Sequence, residues 1–504
     1  MASEKRINTV KVSLWGLTVG HLFWDERRNL GLFSYDKDFL KNGWEVSPLD
    51  HPLPDPASRL TFSGLKEKPY NGLPPFLADS LPDDWGNLVF QVAGPKPQMT
   101  KLERLSYIGK RGMGALEFAP ASPVGIKDST VEIQALKELA DKIYKERSEA
   151  VITPEEELTK ERLRAIGTSA GGRMPKAIIA IDDQGEIRSG QVANPERFHY
   201  CILKFQTPDH PYSSRIEMAY YHMAEAAEIK MSRCRILPVE GEFHFLTERF
   251  DRIGNEKVHT QTLAAMAPGV TSYEELFQVC RRLDLPHVQL EQLFRRMAFN
   301  VFARNTDDHI KNHSFLLRQG GVWELSPAYD LTFTLDLSDL AIHHTRCLSV
   351  RGKYYDITED DLLAFAREQG IKDAGKILNH VALAVCSFYD CAVREGVSPY
   401  WIETIERELS KVIPERFHHL LTHHQATVCP TYTDKAGHLI SSFNIEETVS
   451  HDIKLSATID GKQTRYILGH KKAETKQLLE NGCKTLPLET IKELIERYLV
   501  PSAV

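Results

Sequence analysis

The sequence is short of the features that define several large classes of protein. Its eight cysteines are scattered without a C-x-x-C spacing, which argues against a disulfide or zinc framework and favours reduced, buried thiols. No uninterrupted apolar run approaches the roughly 18 residues of a membrane span. No run of signal-peptide length follows the charged start M-A-S-E-K-R. We therefore expect a cytoplasmic protein without a membrane partner.

Positive charge is also limited. The 504 residues carry 62 Lys and Arg against 69 Asp and Glu, a net charge of -7, so the chain lacks the overall basic field that drives nonspecific nucleic-acid binding. Internal repeats and low-complexity tracts are absent. A hydrophobic content of 42% with 26% charged residues is nevertheless typical of a chain that buries a sizeable core.

The order of the predicted elements divides the chain into four segments. Residues 1–130 are β-rich, as the alternating run V-K-V-S-L-W-G indicates. Residues 131–255 begin with a charged helix and a small-residue loop and continue with two strands, an Ala- and Met-rich helix and another strand. Residues 256–425 form a mostly helical lobe, and residues 426–504 form a C-terminal extension with a strand-like run and two short helical patterns. This is an α+β pattern, and its middle part matches the small lobe of a protein kinase.

Within the helical lobe, the run S-F-L-L-R-Q-G-G-V-W-E-L over residues 314–325 predicts a β-hairpin around two glycines. Further helices are predicted over residues 359–395 and 400–424.

Three polar residues around this hairpin have the spacing that phosphoryl transfer needs. That chemistry requires a carboxylate beside the attacking hydroxyl and oxygen ligands for Mg²⁺. Asp307 lies five residues before Asn312, as do the base and the metal-binding Asn of a kinase catalytic loop, and Asp330 follows the hairpin. Either Asp307 or its neighbour Asp308 could accept the hydroxyl proton, and the spacing favours Asp307.

Candidate phosphate-binding groups precede these residues in the chain. Lys204 lies in the predicted strand H-Y-C-I-L-K-F, and Glu217, early in the following helix, is placed to pair with it. The loop from Gly167 to Lys176 is rich enough in glycine to bring backbone N–H groups close to phosphate oxygens.

Two other classes of function compete with a kinase. A metal-dependent hydrolase would use Asp307, Asp308, His309 and His313, with the two histidines sharing a helix face. That reading leaves Lys204 and the glycine loop unexplained. A catalytically weak or dead protein that only binds a partner would need no complete phosphoryl-transfer set.

The chain resembles the HipA family of bacterial serine/threonine kinase toxins. The resemblance rests on S-A-G-G-R-M-P-K, I-L-K-F, E-R-F-D-R, N-T-D-D-H-I-K-N and P-A-Y-D-L in that order, with F-L-A-D-S-L-P-D-D-W-G and G-M-G-A-L-E-F in the first segment. It covers residues 8–425 and implies a two-lobed, kinase-like α+β fold. It also implies an ATP- and Mg²⁺-dependent kinase that arrests growth as the toxin of a toxin–antitoxin pair.

The same resemblance assigns roles to individual residues. It makes Asp307 catalytic, Asn312 and Asp330 the magnesium ligands, and Lys204 the ATP lysine. The remaining nucleotide contacts that it implies are Gly171, Gly172, Arg173, Met174, Pro175 and Lys176 over the phosphates, Glu248, Arg249 and Phe250 at an adenine-facing hinge, and His309, Ile310, Lys311 and Tyr329 around the pocket. Where the family usually has G-G-A-R-P-K, this chain has G-G-R-M-P-K, so the contact of the displaced Arg173 side chain is not carried over.

The family also implies partners. These are a small helix-turn-helix antitoxin (HipB-like), operator DNA bound through that antitoxin, and a protein substrate of the aminoacyl-tRNA synthetase class. In addition, Ser169 aligns with a serine that family members autophosphorylate as an off switch.

We expect the protein to phosphorylate Ser169 and the modified form to bind ATP weakly. A phosphate adds a charge of about -1.5 to -2 at neutral pH, which would repel the nucleotide that the loop should hold. Mass spectrometry after incubation with ATP checks the site, with neighbouring Thr168 as the alternative acceptor. An active kinase without phosphate on residues 167–176 would contradict the prediction, and retained phosphate with unchanged ATP affinity would remove the switch.

Overall fold

The structure is a computed structural model, and it describes most of the chain up to residue 421. The described residues are 7–42, 44–55, 60–82, 84–93, 99–121, 131–146, 159, 163, 174–189, 192, 195–334 and 345–421, followed by 432–433, 439–447, 453–459, 462–468, 493–494 and 497–498.

The first segment is built around an antiparallel sheet, as the alternating sequence predicts. Its strands are β1 (Thr9–Leu14), β2 (Leu17–Asp25), β3 (Leu30–Tyr35), β4 (Thr61–Ser63) and β5 (Leu116–Ala119), in the order β4-β3-β2-β1-β5. Val10, Val12 and Leu14 of β1 are buried while the residues between them are not, so one face of the sheet meets the core. A 3-10 turn at Phe39–Asn42 and the helices α1 (Pro75–Ala78), α2 (Asp84–Ala93) and α3 (Lys101–Ile108) complete the segment.

A second antiparallel sheet follows the helix α4 (Ile133–Glu146). It contains β6 (Lys176–Asp182), β7 (Ile187–Ser189), β8 (Phe198–Lys204), β9 (Cys234–Val239) and β10 (Glu242–Glu248), in the order β7-β6-β8-β10-β9, with a 3-10 turn at Pro195–Arg197 and the helix α5 (Ser213–Ala226). Apolar residues of α4 and of the central strands share one core, to which β6 contributes alternate residues, and every residue of β6 is buried. The sequence did not predict β9. Its Pro238 cannot donate a ladder hydrogen bond, which weakens the strand signal, and β9 accommodates it by lying at the sheet edge.

The helical lobe follows the second sheet and opens with one short strand pair, Arg252–Ile253 with Glu256–Lys257. Its elements are β11 (Arg252–Ile253), β12 (Glu256–Lys257), β13 (His259–Thr262), α6 (Leu263–Met266), α7 (Tyr273–Arg282), α8 (His287–Phe302), β14 (Ser314–Leu317), β15 (Trp323–Leu325), α9 (Glu359–Gln369), α10 (Ala374–Cys386), α11 (Phe388–Arg394), α12 (Pro399–Leu409) and a 3-10 turn at Glu415–Leu420. The predicted hairpin is present as β14 and β15, extended by β13.

Capping residues explain where several of these helices begin and end. Ser272 and Thr358 each form a capping box at the start of α7 and α9, and Gly370 ends α9 with a φ of 70°. The helix predicted over residues 400–424 is too long, because α12 ends at Leu409 and Pro414 precedes only a 3-10 turn.

The C-terminal extension contains the strand-like run that the sequence predicts. Its strands are β16 (Tyr432–Thr433), β17 (Leu439–Glu447), β18 (Ile453–Ile459) and β19 (Lys462–Leu468), and they pair antiparallel in that order. Most of the two short helical patterns predicted after residue 468 lies outside the described residues.

One stretch of the described chain, Ala374–Arg394, is long and apolar enough to pass a composition test for a membrane span. In the fold it is interrupted at Ser387 between α10 and α11. Its buried residues belong to the main core together with those of α5 and α8, which is the behaviour of core helices in a folded lobe.

A buried ion-pair cluster joins the second sheet to the N-terminal segment. Asp251 accepts hydrogen bonds from Arg249 at 2.8 Å, from Arg252 at 2.8 Å and from the backbone N–H of Gly114 at 2.6 Å. Both arginines also donate to the carbonyl oxygen of Gly112. Gly114 has a φ of 73°, and a Cβ there would lie 3.0 Å from the backbone nitrogen of Thr260, so this approach favours glycine. Buried charges therefore join the N-terminal segment to the second sheet.

We expect Asp251→Asn to lower the free energy of unfolding by roughly 3 kcal/mol or more, because it leaves two enclosed arginines without their anion. Burial alone would raise the pKa of Asp251, but the two arginines lower it to about 2 from an ordinary value of 3.8. The carboxylate therefore stabilises the fold fully above pH 3.8, and this contribution is lost as the pH falls towards 2.

Urea unfolding of both proteins at several pH values measures the effect. The gap between wild type and Asp251→Asn should be widest near neutral pH and should close below pH 3.8. The matched control is Asp38→Asn, which breaks an exposed pair with Lys41 and should leave the unfolding midpoint unchanged. Equal midpoints for wild type and Asp251→Asn at pH 7 would disprove the stabilising role.

Candidate active site

Three charged side chains from separate elements form a hydrogen-bonded group at the end of β8. Lys204 is the last residue of β8, Glu217 lies in the first turns of α5, and Asp330 follows β15. The Lys204 Nζ donates to Glu217 Oε1 at 2.5 Å and also to Asp330 Oδ1. The contact between Lys204 and Glu217 that the sequence predicts is therefore present, and Asp330 joins it across 126 residues of chain.

Burial and mutual attraction act against each other in this group. Burial disfavours the charged form of Lys204, but the Asp330 and Glu217 carboxylates outweigh it and raise the lysine pKa above its ordinary value. For Asp330, burial would raise the pKa, yet Lys204 and Lys176 lower it to about 2. Burial raises the pKa of Glu217, despite its contact with Lys204. At neutral pH the site thus presents a cationic lysine against an ionised Asp330.

The loop between α8 and β14, residues 303–313, carries the predicted catalytic residue and is called the catalytic loop below. The side chain of Asp307 is 61% exposed, and its backbone carbonyl accepts a hydrogen bond from the Asn312 side-chain amide at 2.8 Å. The backbone N–H groups of Thr306 and Asp307 donate to Thr334 Oγ1 at 3.0 and 3.2 Å. His309 Nε2 lies 3.9 Å from Asp307 Oδ1. The loop therefore holds Asp307 at the surface, next to the amide proposed as a metal ligand.

Asp308 has the opposite environment. Its side chain is 0% exposed and accepts hydrogen bonds from Tyr273, Arg346 and two backbone N–H groups. Those contacts occupy both carboxylate oxygens and leave the neighbouring Asp307 as the exposed acid. The geometry therefore supports the choice of Asp307 that the spacing favours.

The residues of the predicted hinge have different surroundings. The Phe250 and Tyr329 rings lie 5.8 Å apart, and the Tyr329 hydroxyl donates to the Lys311 carbonyl at 2.8 Å. The Arg249 guanidinium points to Asp251 and Gly112 in the buried ion-pair cluster. Any contact of Arg249 with a nucleotide is thereby limited to its backbone.

The glycine-rich loop is described only at its end. Gly171, Gly172 and Arg173 lie outside the described residues, as does Ser169. Met174 and Pro175 lead into β6, where Lys176 is buried and pairs in register with Lys204. The charge of Lys176 acts on both Asp330 and Glu217, so the end of the loop reaches the same carboxylates.

The hydrolase alternative loses its structural premise. Residues 305–309 form no regular secondary structure and residues 310–311 form a turn, so His309 and His313 do not share a helix face. His313 is buried against the Tyr273 ring, and burial lowers its pKa to about 4. Within the part of the chain that the structure describes, no cluster of three or more His, Cys, Asp or Glu side chains could hold a metal ion.

The sequence analysis did not single out several residues that support the catalytic loop: Thr334, Asn305, Tyr273 and Arg346. Tyr273 lies 35 residues from Asp308 in the chain, and Arg346 lies 38 residues from it. Only Asn305 falls inside a quoted motif, as the first letter of N-T-D-D-H-I-K-N. Long-range contacts of this kind depend on tertiary packing, which one sequence does not display.

Family comparisons account for most of the chain. The HipA-like C-terminal domain matches residues 168–387, and the HipA N-terminal domain matches residues 10–119. Together they cover the first sheet, the second sheet and the catalytic loop. This chain is a two-lobed α+β protein with a kinase-like fold.

Individual relatives agree with these matches. The chain is 22% identical over 367 residues to the serine/threonine-protein kinase toxin HipA of Shewanella oneidensis, which is 66% of this chain and 76% of that protein. It is 24% identical over 196 residues to a Haemophilus influenzae protein named as a kinase, and that match spans 35% of this chain and 55% of the relative. A solved complex of Shewanella oneidensis HipA, HipB and operator DNA contains a chain with the same fold. The TM-score is 0.52 at 16% identity, covering 82% of this chain and 94% of that one. The chain belongs to the HipA family.

We expect Asp330→Ala to weaken Mg²⁺-dependent ATP binding by about tenfold or more, the cost of one lost charged interaction. Asp308→Ala should weaken it much less, because the Asp308 carboxylate is bound to Tyr273 and Arg346 and makes no hydrogen bond to Lys204. Calorimetric titration of ATP with and without Mg²⁺ measures both. Unchanged affinity in Asp330→Ala would count against its role as a metal ligand.

Proposed function

We propose that the protein is an ATP- and Mg²⁺-dependent serine/threonine protein kinase, and that it acts as the toxin of a toxin–antitoxin pair. The observation that carries the proposal is the meeting of Lys204, Glu217 and Asp330 beside a loop that exposes Asp307 and buries Asp308. A protein that only binds a partner has no need to hold a lysine between two carboxylates next to an exposed acid.

The donor set fits a magnesium nucleotide. Mg²⁺ takes hard oxygen ligands and is usually held by one or two protein side chains together with substrate phosphates. Asp330, ionised at neutral pH, and the Asn312 amide would supply the protein ligands. The metal would neutralise charge on the phosphates.

The side chains of this chain then have separate tasks. Lys204, kept charged by its two carboxylates, binds and orients phosphate oxygens, and Lys176 adds a second positive charge. Asp307 accepts the proton of the substrate hydroxyl as the new O–P bond forms and the bond from the γ-phosphorus to the bridging oxygen breaks, with ADP as the leaving group. Tyr329 and Phe250 would line the nucleotide pocket. Glu248 and the backbone of Arg249 would form its hinge.

The biological role rests on the family. A relative is named as a kinase toxin, and a solved relative is described in complex with HipB and operator DNA. We propose that this chain likewise acts with a HipB-like helix-turn-helix antitoxin and reaches operator DNA through it. A cytoplasmic protein of the aminoacyl-tRNA synthetase class is the proposed target, with Ser169 phosphorylation as the off switch.

The alternative is a catalytically weak or dead protein of the same fold that acts only with the antitoxin in transcriptional control. It predicts antitoxin binding without phosphate transfer. Incubation of the purified protein with γ-labelled ATP and Mg²⁺ separates the two, since only a kinase transfers label to protein.

We expect Asp307→Asn to keep the fold while phosphate transfer falls by about 100-fold or more, because the amide cannot accept the hydroxyl proton. Growth inhibition on expression should disappear with it. The measurements are label transfer, growth and thermal melting, with ATP affinity as a check that the nucleotide site is intact. Wild-type turnover in Asp307→Asn would refute the assignment, and loss in Asp308→Asn but not in Asp307→Asn would move it by one residue.

A further inference from the structure

Asp308 contacts four hydrogen-bond donors from two distant parts of the chain. Its Oδ2 accepts from the Tyr273 hydroxyl at 2.8 Å and from Arg346 Nε at 3.0 Å. Its Oδ1 accepts from the backbone N–H of Cys347 at 2.9 Å and of Leu348 at 3.3 Å. A carboxylate is the one side chain of this size that can accept at both ends and balance the charge of an enclosed arginine. Nothing in the proposed chemistry uses this residue.

The contacts of Asp308 continue towards the metal-binding side of the site. Asn300 donates to the Tyr273 hydroxyl at 3.0 Å and accepts from the Asn305 amide at 2.9 Å. That same Asn305 amide lies 3.4 Å from the backbone carbonyl of Asp330, and the Asn305 carbonyl accepts from Arg346 at 3.2 Å. A buried polar network thus links Asp308 to the residue that carries the proposed metal ligand.

The same network also binds residues 346–349, called segment 346–349 below. The carbonyl of Ser349 accepts from the Tyr273 N–H at 2.9 Å, and the Ser349 N–H donates to Thr271 at 3.0 Å. Within this segment the exposed Cys347 brings its Sγ to 3.9 Å from Asp307 Oδ1. The segment therefore borders the exposed face of the proposed catalytic acid, where a hydroxyl substrate would have to approach.

We infer that Asp308 is a positioning residue that fixes segment 346–349 against the catalytic loop, and so sets how a hydroxyl substrate approaches Asp307. This role presupposes the proposed kinase activity. The two adjacent aspartates then have different roles. Asp307 contacts the substrate hydroxyl, and Asp308 fixes the segment that the substrate passes.

Asp308→Asn is the sharpest variant, because it keeps the size of the side chain and removes its charge. All four partners of Asp308 are donors, so the new NH₂ group must face donors at whichever end it lies. We expect the Leu348 amide to exchange hydrogen about tenfold faster. The Cys347 amide should respond less, because it also donates to the Thr306 carbonyl at 3.2 Å. At saturating ATP, we expect the rate of phosphate transfer to the chain's own hydroxyls or to water to fall by about 100-fold. A loss of that size is typical when a reacting group is displaced by about 1 Å.

The readout that separates positioning from simple destabilisation is ATP binding. In calorimetry with Mg²⁺, Asp308→Asn should keep both the affinity and the binding stoichiometry of wild type while the transfer rate falls. A matched control is Asp141→Asn, which removes one of the two carboxylate partners of the buried Lys137 in α4, at an Nζ to Oδ2 distance of 2.6 Å, and affects none of the partners of Asp308. It should change neither the amide exchange at residues 347–348 nor the rate.

Each outcome decides the role of Asp308. A wild-type transfer rate in Asp308→Asn, or a loss of rate matched by an equal loss of ATP-binding stoichiometry, would overturn it. If Asp308→Asn does not fold, Arg346→Gln tests the same contact with the carboxylate intact, and wild-type exchange and rate in that variant would also overturn it. If wild-type protein transfers no phosphate at all, the kinase proposal fails on its own. The exchange comparison would then still show whether Asp308 holds the segment.

Discussion

The charge of Lys204 is the constraint on which the rest of the site depends. Its ammonium lies between two carboxylates in a partly enclosed place, where an unpaired charge would cost several kcal/mol. Each partner requires a different part of the fold. The central strand β8 supplies the lysine, α5 supplies Glu217 and the turn after β15 supplies Asp330. The second sheet and the helical lobe must therefore be correctly placed against each other before this charge is satisfied.

Elements with strong local patterns could be predicted from the sequence. The β8 strand, the α5 helix, the β14 and β15 hairpin and the pairing of Lys204 with Glu217 all follow from apolar periodicity, turn glycines and motif order. The site residues bound by long-range contacts could not. Tyr273 and Arg346 read as a helix-start aromatic and a loop arginine, and only the folded chain brings both to Asp308. The direction of the Arg249 side chain could not be predicted either, because its motif does not show that tertiary packing turns the guanidinium towards Asp251.

Adjacent aspartates with opposite environments illustrate how an irregular loop divides its tasks. In an extended backbone, successive side chains point to opposite sides. The stretch 305–309 has no regular structure, so Asp307 can face solvent while Asp308 enters the core. A helix through the same residues would separate the two side chains by only about 100° around its axis, which makes full burial of one beside full exposure of the other harder. In the loop, the buried carboxylate of Asp308 is paired with Arg346.

The buried ion-pair cluster around Asp251 has a consequence for dissection of the chain. Gly112 and Gly114 of the N-terminal segment accept from or donate to this cluster, so cutting the chain before β6 would leave two arginines with part of their hydrogen bonding exposed to water. The excised catalytic part would keep Asp251 with both arginines but would open this buried group to solvent. Water would then compete for the hydrogen bonds that the two glycines make in the intact protein, and the turn after β10 would lose part of its support. A stability measured on such a fragment would report the cut rather than the protein.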